Sequence, residues 1–248
     1  MSDLLEGLAA WPQQDFVEFG SVEVRKLGKI QRLVGSFLGR NWVAIPHVTH
    51  QDEADVTALE ARRSAHNKAG GDKLTIVPLL VKALADALAA FPQFNASYDA
   101  KTGELTLKKY VHVGVAVDTP NGLLVPVIRD SDRKSLDEIA REIESVAAKA
   151  RTKGLSVAEM SGGCITLTSL GHIGGTAFTP IINAPEVAIL GVTRARTVAQ
   201  PDASGARVVW RQMLPLSLSY DHRVINGADA ARFVRFLIDR LADGGLIG

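Results

Sequence analysis

Hydrophobic and polar residues follow two repeating patterns along the chain. Apolar side chains that recur every three or four positions predict amphipathic helices, whereas strict alternation of apolar and polar residues predicts strands. The first pattern predicts four helices, over residues 53–68, 75–90, 135–151 and 228–242. Gly70-Gly71 follows the first helix and Phe91-Pro92 follows the second, and both pairs are typical of helix ends.

The alternating pattern is clearest in residues 111–117, where four valines alternate with His112, Gly114 and Ala116. The segment Asp118-Thr119-Pro120-Asn121-Gly122 is a strong turn signal, so residues 123–128 should form the second strand of a hairpin. Further strands are predicted over 104–110, 165–168, 186–192 and 214–220, and a polar hairpin loop over 195–207. Because hairpins and helical crossovers both occur, we expect one α/β domain with a mixed β-sheet.

Residues 1–20 are predicted to form an N-terminal arm, and residues 21–248 the domain itself. The arm contains glycine and proline together with scattered apolar side chains such as Trp11 and Phe16. A free tail of this composition would expose much apolar surface, so we expect the arm to pack on the body or on a neighbouring subunit.

Composition narrows the possible functions. The 248 residues are 46% hydrophobic and 22% charged, which is ordinary for a globular protein. The 28 basic and 27 acidic residues nearly cancel, so no nucleic-acid partner is expected. Cys164 is the only cysteine and is expected in the core, and its isolation fits a reducing compartment. No apolar stretch reaches the roughly 20 residues of a membrane span, so we predict a cytoplasmic protein without a membrane partner.

A polar run follows the predicted strand 214–220. It contains Asp221, His222, Arg223 and Asn226 and is closed by Gly227. A histidine in such a loop can accept a proton near neutral pH, and the amide of Asn226 can orient it or polarise a bound group. The spacing alone equally allows a loop histidine whose neighbours serve only to cap the turn.

A glycine-rich loop, residues 171–175, follows hydroxyl side chains at Thr166, Thr168 and Ser169. Hydroxyls and backbone amides of this kind can stabilise an oxyanion, although a tight turn with a close backbone crossing is the simpler explanation. His47 and His50 stand near three carboxylates, but their spacing matches no closed metal site, and Pro46 indicates a loop there. No metal is therefore expected.

The segment Asp221-His222-Arg223-Val224-Ile225-Asn226-Gly227 resembles the D-H-R-x-x-[DN]-G signature of dihydrolipoamide acyltransferases, the central components of 2-oxo acid dehydrogenase complexes. Residues 45–49, 94–97, 118–127 and 183–191 resemble further motifs of the same family, in the same order and with similar spacing. The resemblance extends from residue 15 to about residue 242 and is strongest to the bacterial pyruvate branch.

The resemblance implies a two-layer sandwich with a mixed sheet, like that of chloramphenicol acetyltransferase, and a homotrimer with active sites between subunits. It implies lipoyl domains and the other components of the complex as partners, and leaves assembly into a larger core open. The sequence does not include the lipoyl and subunit-binding domains that full-length members carry upstream. Lys29 stands where many relatives have arginine near the active site.

The resemblance also implies the chemistry, which is transfer of an acyl group, here acetyl, between dihydrolipoamide and coenzyme A. His222 would be the general base, and Thr168 would take the place of the family's oxyanion-binding serine, with Ser169 as the alternative donor. Asn226 occupies a position that is aspartate in many members, so it would act by hydrogen bonding. Coenzyme A and the lipoyl group would be substrates, with no metal.

The family's contacts to coenzyme A fall on Arg63, Thr75, Asp118, Thr168 and Ser169. A guanidinium suits phosphate, but positions on a helix surface and at a helix cap explain Arg63 and Thr75 equally well. Two other functions remain open. One is a coenzyme A-dependent O-acetyltransferase, and the other is a catalytically silent trimeric scaffold.

Overall fold

The computed structural model describes residues 11–70, 73–120 and 122–247, with the side chain of Lys29 also outside the description. The α-helices in these residues are α1 (Lys29–Ala44), α2 (Thr57–Lys68), α3 (Ile76–Ala90), α4 (Leu136–Thr152) and α5 (Gly227–Ala242). The strands are β1 (His47–Asp55), β2 (Ala96–Asp99), β3 (Glu104–Leu107), β4 (Val113–Val115), β5 (Val127–Ile128), β6 (Ile165–Ser169), β7 (Ala188–Val192), β8 (Arg196–Pro201) and β9 (Val208–Asp221).

Seven strands form one mixed sheet, in the order β1-β9-β7-β6-β4-β5, with β8 also paired to β9. Strand β6 runs parallel to β4 and β7, and the other neighbours are antiparallel. Strands β2 and β3 form a separate hairpin. The mixed sheet confirms the predicted α/β class. The long strand β9 carries the chain to His222, because Asp221 is its last residue.

The hydrophobic core lies between the sheet and the helices. Helix α5 packs on β1 and on α3, and α3 also contacts α4. Phe233 of α5 stacks on Phe94 with ring centroids 4.1 Å apart, and both rings are fully buried. This packing fixes the start of α5, and therefore the loop between β9 and α5 that contains His222.

Three of the four predicted helices are confirmed closely. Helix α3 follows Thr75 and ends before Phe91, as its apolar spacing indicates. Helix α4 begins with a capping box, in which the hydroxyl of Ser135 accepts from the backbone of Glu138 and the Glu138 carboxylate accepts from the backbone of Ser135. Helix α5 begins after Asn226, which is its N-cap.

The prediction for residues 53–68 was wrong at its start. Residues 53–55 belong to β1, and the helix begins at Thr57. The residues around His47 and His50 were expected to lie in a loop, yet residues 47–55 pair with β9 along nine residues. Strand β1 lies at the edge of the sheet, where charged side chains are common because they prevent pairing with other chains. Because its composition is polar, this segment was not recognised as a strand from the sequence.

Several strand boundaries also differ from prediction. Strand β4 is restricted to Val113–Val115, and the hairpin continues only through an isolated bridge between Val117 and Leu124. The predicted loop 195–207 contains strand β8, with the turn confined to its end. Strand β9 begins at Val208, six residues before the predicted start, because β8 extends its pairing.

The described part of the arm does not pack on its own body. Residues 11–20 are all exposed, with Trp11 86% and Phe19 71% accessible. These residues therefore do not pack on the body, which was one of the two expected arrangements. The other, packing on a neighbouring subunit, stays a prediction. Residues 1–10, Gly71 and Asn121 lie outside the described residues. No helix among the described residues is long and apolar enough to cross a membrane.

Candidate active site

His222 is the first residue after β9 and lies on the surface of the single chain. Its backbone N–H donates to the carbonyl of Pro46 at 3.1 Å, so the histidine stays beside the start of β1. Its ring lies 5.7 Å from the ring of Tyr220. Within the described residues the imidazole makes no hydrogen bond, which leaves both ring nitrogens available to a substrate or to a neighbouring subunit.

The turn that carries His222 is fixed by an ion pair between a buried carboxylate and a partly exposed guanidinium. The carboxylate of Asp221, 3% exposed, accepts from Nε of Arg223 at 2.9 Å and from Nη2 at 2.6 Å. This hydrogen bonding raises the pKa of Arg223, whose guanidinium also lies 5.1 Å from the centre of the Tyr98 ring. The N–H groups of Val224 and Ile225 both donate to the Asp221 carbonyl. The backbone on both sides of His222 is therefore held in place.

Asn226 caps helix α5. Its Oδ1 accepts from the backbone N–H of Asp229 at 2.9 Å, and its Nδ2 donates to the Asp229 carboxylate at 2.7 Å. The amide is thus engaged by the helix and not by the imidazole of His222 in the single chain. The predicted orienting role of Asn226 stays a prediction.

Thr168 lines a cavity of about 310 Å³. The cavity is lined by helix α1, the β4–β5 hairpin, strands β6 and β7 and the loop before β7. Most of the lining side chains are apolar, and the polar ones are Asn41, Thr166, Thr168 and Asn183. Gly191 allows the Phe178 ring to form one wall, since a Cβ there would lie 2.7 Å from the ring. The hydroxyl of Thr168 makes no hydrogen bond within the described residues, and so it can donate to a ligand.

Sequence reasoning missed a buried acid beneath this cavity. Glu186 is 4% exposed, and its carboxylate accepts a 2.7 Å hydrogen bond from the hydroxyl of Thr166. Burial raises the pKa of Glu186 to about 7, although the bonds from Thr166 and Asn183 oppose the shift. The sequence did contain a signal, which is a single charged residue within the apolar stretch 184–192. An acid that is buried at the start of a strand needs hydrogen-bonding partners, so a polar network could have been expected there.

Thr168 and His222 of one chain lie far apart. Thr168 is in register with Gly191 on β7, and Gly191 with Ser217 on β9, five residues before His222. At about 3.3 Å per residue the separation along the strands is roughly 17 Å, and two strand spacings add to it. A general base and an oxyanion donor must each approach the reacting atoms to about 3 Å. Thr168 and His222 of the same chain therefore cannot act on one carbonyl.

The predicted coenzyme A contacts form two groups. Arg63 and Thr75 are adjacent, because the Arg63 guanidinium donates to the carbonyl of Leu74 at 3.0 Å. Arg63 is also paired with Glu60 at 2.6 Å, so it is not a free cation. Thr75 is exposed at the start of α3, and its side chain makes no capping bond.

The second group lies at one edge of the sheet. Strands β4 and β6 are parallel neighbours, so Asp118, which follows β4, lies at the same end as Ser169 of β6. Asp118 is exposed, and the hydroxyl of Ser169 accepts from the backbone N–H of Gly171 at 3.3 Å. Thr168 and Ser169 therefore differ, since Thr168 lines the cavity whereas the oxygen of Ser169 accepts from the Gly171 N–H.

The remaining candidates are structural. His47 uses both ring nitrogens, Nδ1 with the carbonyl of Ile45 at 2.8 Å and Nε2 with the N–H of Ile182 at 3.0 Å. Successive side chains of β1 point to opposite faces, so the histidines and acids of this strand do not converge. Among the described residues no group of three or more histidine, cysteine, aspartate or glutamate side chains could hold a metal. Cys164 is fully buried, as predicted, and burial raises its pKa.

Comparison with known proteins gives consistent matches. The family model described as 2-oxoacid dehydrogenases acyltransferase (catalytic domain) matches residues 19–247. The acetyltransferase component of the pyruvate dehydrogenase complex of Pseudomonas aeruginosa is 53% identical over 240 residues, which cover 96% of this chain and 44% of that protein. The corresponding Haemophilus influenzae protein is 50% identical, over 96% of this chain and 42% of that protein. The chain thus spans less than half the length of these relatives.

Solved structures agree with the sequence matches. Dihydrolipoamide acetyltransferase of Azotobacter vinelandii, studied for the catalytic roles of a serine, a histidine and an asparagine, is 51% identical with a TM-score of 0.90, over 97% of this chain and 99% of that one. Chloramphenicol acetyltransferase is 16% identical with a TM-score of 0.58, over 79% of this chain and 89% of that one, and confirms the predicted fold. From the family match over residues 19–247 and identities above 50%, the chain belongs to the acyltransferase catalytic domains of the 2-oxoacid dehydrogenases.

Proposed function

We propose that the chain transfers an acetyl group between dihydrolipoamide and coenzyme A. The observation that carries this proposal is the exposed His222 on its fixed turn, with Asn226 four positions later. In the Azotobacter vinelandii enzyme the catalytic histidine and asparagine are likewise four positions apart. The acetyl group is inferred from the relatives, which are named as acetyltransferase components.

His222 acts as the general base. A thiol attacks a thioester efficiently only as the thiolate, so its proton must be removed as the S–C bond forms. The neutral imidazole accepts that proton, and the tetrahedral intermediate then expels the other sulfur. The imidazolium returns the proton to this leaving thiolate, so each turnover leaves the protein unchanged. The exposed ring, whose nitrogens make no hydrogen bond within the described residues of the single chain, fits this role.

Thr168 donates to the oxyanion of the tetrahedral intermediate. Thr168 lines the cavity and Ser169 does not, and the oxygen of Ser169 accepts from the backbone N–H of Gly171. We therefore assign the oxyanion to Thr168 and leave Ser169 in the coenzyme A contact. A preplaced donor of this kind is worth roughly 100-fold to 1000-fold in turnover.

The site is completed by two copies of the chain. His222 and Thr168 of one chain lie too far apart, so His222 of one subunit serves the cavity of the next. The exposed apolar side chains of the arm and of α1, such as Trp11, Phe37 and Trp42, provide surface for that contact. Heterologous contacts of this type close into a ring, and the smallest such ring is a homotrimer, because a two-fold dimer has an isologous interface.

Coenzyme A binds with Arg63, Thr75, Asp118 and Ser169 in contact. Helix α3 presents its positive N-terminal end at Thr75, which favours a phosphate there. Arg63 adds charge beside it but must share its guanidinium with Glu60. The lipoyl group is the other substrate, and lipoyl domains and the other components of a 2-oxo acid dehydrogenase complex are the partners. Residues 1–20 form the arm, and residues 21–248 the catalytic domain.

The test is acetyl transfer from acetyl-coenzyme A to free dihydrolipoamide by the assembled protein. His222→Ala should lower kcat by at least about 100-fold, since general-base catalysis contributes that much. Thr168→Val should lower kcat strongly, whereas Thr168→Ser should retain most of it and Ser169→Ala should affect KM for coenzyme A. Activity that survives His222→Ala would overturn the mechanism.

Two other outcomes decide between functions. An assembled but inactive parent protein would indicate a silent scaffold. Transfer to a hydroxyl acceptor in preference to dihydrolipoamide would indicate an O-acetyltransferase. Parallel assays with succinyl- and isobutyryl-coenzyme A test the acyl group, because one methylene changes discrimination by only about 1–3 kcal/mol.

A further inference from the structure

A buried carboxyl lies directly behind the cavity that contains Thr168. Glu186 is 4% exposed, and its Oε2 accepts from the hydroxyl of Thr166 at 2.7 Å. Thr166 and Thr168 are two positions apart on β6, so both side chains project from the same face of the sheet. The acid is therefore one hydrogen bond away from the wall that holds the proposed oxyanion donor.

The hydrogen-bonded chain continues into the cavity lining. Nδ2 of Asn183 donates to the hydroxyl oxygen of Thr166 at 3.4 Å, and Asn183 and Thr166 both line the cavity. Together with Asn41 and Thr168, these two residues are the polar members of a mostly apolar lining. Glu186 is not itself a lining residue, and it contacts this polar surface through Thr166.

Two glycines provide the space for this arrangement. A Cβ on Gly163 would lie 2.6 Å from Oε1 of Glu186. A Cβ on Gly114 would lie 3.0 Å from the hydroxyl of Thr166 and 2.9 Å from Val125. Backbone therefore passes close to both members of the Glu186–Thr166 pair, and neither neighbour can carry a side chain without displacing them.

The groups around Glu186 are mixed in sign. Lys108 is the cation that acts on it most directly, and its Nζ donates to the carbonyls of Ala96 and Gly163 at 3.2 and 3.1 Å. Burial lowers the pKa of Lys108, as it raises that of Glu186. The charged groups and the thiol that border Glu186 or share a cavity with it are Lys108, Lys109, Cys164, Arg40, Asp221 and Arg223.

We propose that Glu186 is a positioning residue, which holds Thr166 and Asn183 in the orientation that accepts the thioester of acetyl-coenzyme A. This inference rests on the proposed acetyl transfer. As a carboxylate, Glu186 requires Thr166 and Asn183 to act as donors towards it. As a neutral acid it can also donate, so the hydroxyl of Thr166 is no longer restricted to acting as a donor. The cavity thus has two polar arrangements, selected by one proton.

The experiment compares parent and Glu186→Gln in the assembled enzyme, with KM for acetyl-coenzyme A and kcat measured from pH 5.5 to 8.5. Glutamine, like the neutral acid, presents both a donor and an acceptor to Thr166 and carries no charge. The two proteins should therefore have similar KM values at pH 5.5. Above about pH 7 the variant's KM should exceed that of the parent by about 5-fold, the effect of one hydrogen bond. Glu144→Gln, on the exposed side of α4, is the matched control and should match the parent throughout.

A second pair of variants keeps the test independent of how well Glu186→Gln folds. Thr166→Ser keeps the hydroxyl and should retain the parent's pH profile, whereas Thr166→Val should lose the difference between low and high pH. A KM ratio of parent to Glu186→Gln that does not change with pH would overturn the proposal. That result, obtained while His222→Ala is still inactive, leaves the acetyltransferase assignment intact. Activity that does not depend on His222 overturns the assignment instead.

Discussion

The carboxylate of Asp221 and the guanidinium of Arg223 form a two-point ion pair across the position of His222. The bonds from Nε and Nη2 are 2.9 and 2.6 Å long, and Asp221 is buried while Arg223 is partly exposed. Arg223 also covers the ring of Tyr98 at 5.1 Å. The histidine therefore projects from a turn whose two flanking side chains are bonded to each other.

Arg223→Lys should weaken this turn although it keeps the charge. An ammonium cannot make both bonds in the plane of the carboxylate and stacks less well on tyrosine. We expect kcat to fall about 10-fold, because small displacements of a catalytic group are costly, and stability to fall by about 1 kcal/mol. Steady-state kinetics and thermal unfolding measure both effects. Arg232→Lys, at an exposed pair with Asp229, should change neither, and an unaltered kcat in Arg223→Lys would contradict this role for the pair.

Mixed assemblies test whether each site uses two copies of the chain. His222→Ala and Thr168→Val homomers should both be poorly active, for different reasons. In a mixed ring of three, one of the three sites joins an intact His222 to an intact Thr168, so random mixing should restore about a quarter of the parent sites. Activity after co-expression or reassembly measures this. Mixtures no more active than the sum of the separate variants would place both residues of a site in one chain.

The polar residues of the candidate site were easier to predict than the strands and helices that position them. The polar run after β9 is local, since Asp221, Arg223 and Asn226 bond within the turn or to the first turn of α5. Short-range signals of this kind are readable from the order of residues. The network of Glu186 joins residues 20 positions apart on different strands, and only the register of the sheet brings them together.

Strand β1 and helix α1 are two of the elements that were not predicted, and the reasons differ. Strand β1 lacks alternation because edge position and pairing with β9 stabilise it, and propensity cannot show this. Helix α1 does have helical spacing at Leu33, Phe37 and Leu38, but Gly35 and Gly39 lower its intrinsic helix propensity. Several of its apolar side chains are exposed in the single chain, so burial within one subunit contributes little to its stability.

Gly191→Ala should impair the cavity by moving Phe178. The new methyl would lie 2.7 Å from Cζ of the ring, too close for any real contact. Because the site is buried, overpacking should cost about 1–3 kcal/mol of stability, and relief of the clash pushes the ring into the cavity. We expect a higher KM for acetyl-coenzyme A together with a lower unfolding temperature. Gly39→Ala, where a Cβ meets nothing within 4 Å, is the control. A stable variant with the parent's KM would show that the ring does not limit the cavity.

The buried Glu186 should make stability fall as pH rises. Burial raises its pKa from 4.5 to about 7 in the folded protein. Between these values the folded state keeps a proton that the unfolded chain has released, so unfolding becomes easier through this window and changes no further above it. At about 1.4 kcal/mol per pKa unit, the loss over the whole window is about 3 kcal/mol. This loss of stability is measured by urea unfolding at pH 4.5 and pH 8. Both experiments use the same protein concentration, because assembly is linked to folding. Other groups titrate in the same range, so the informative quantity is the difference from Glu186→Gln, which lacks this proton. Between pH 4.5 and pH 8 the free energy of unfolding should fall less in Glu186→Gln than in the parent. Equal changes in both proteins would show that Glu186 keeps an ordinary pKa.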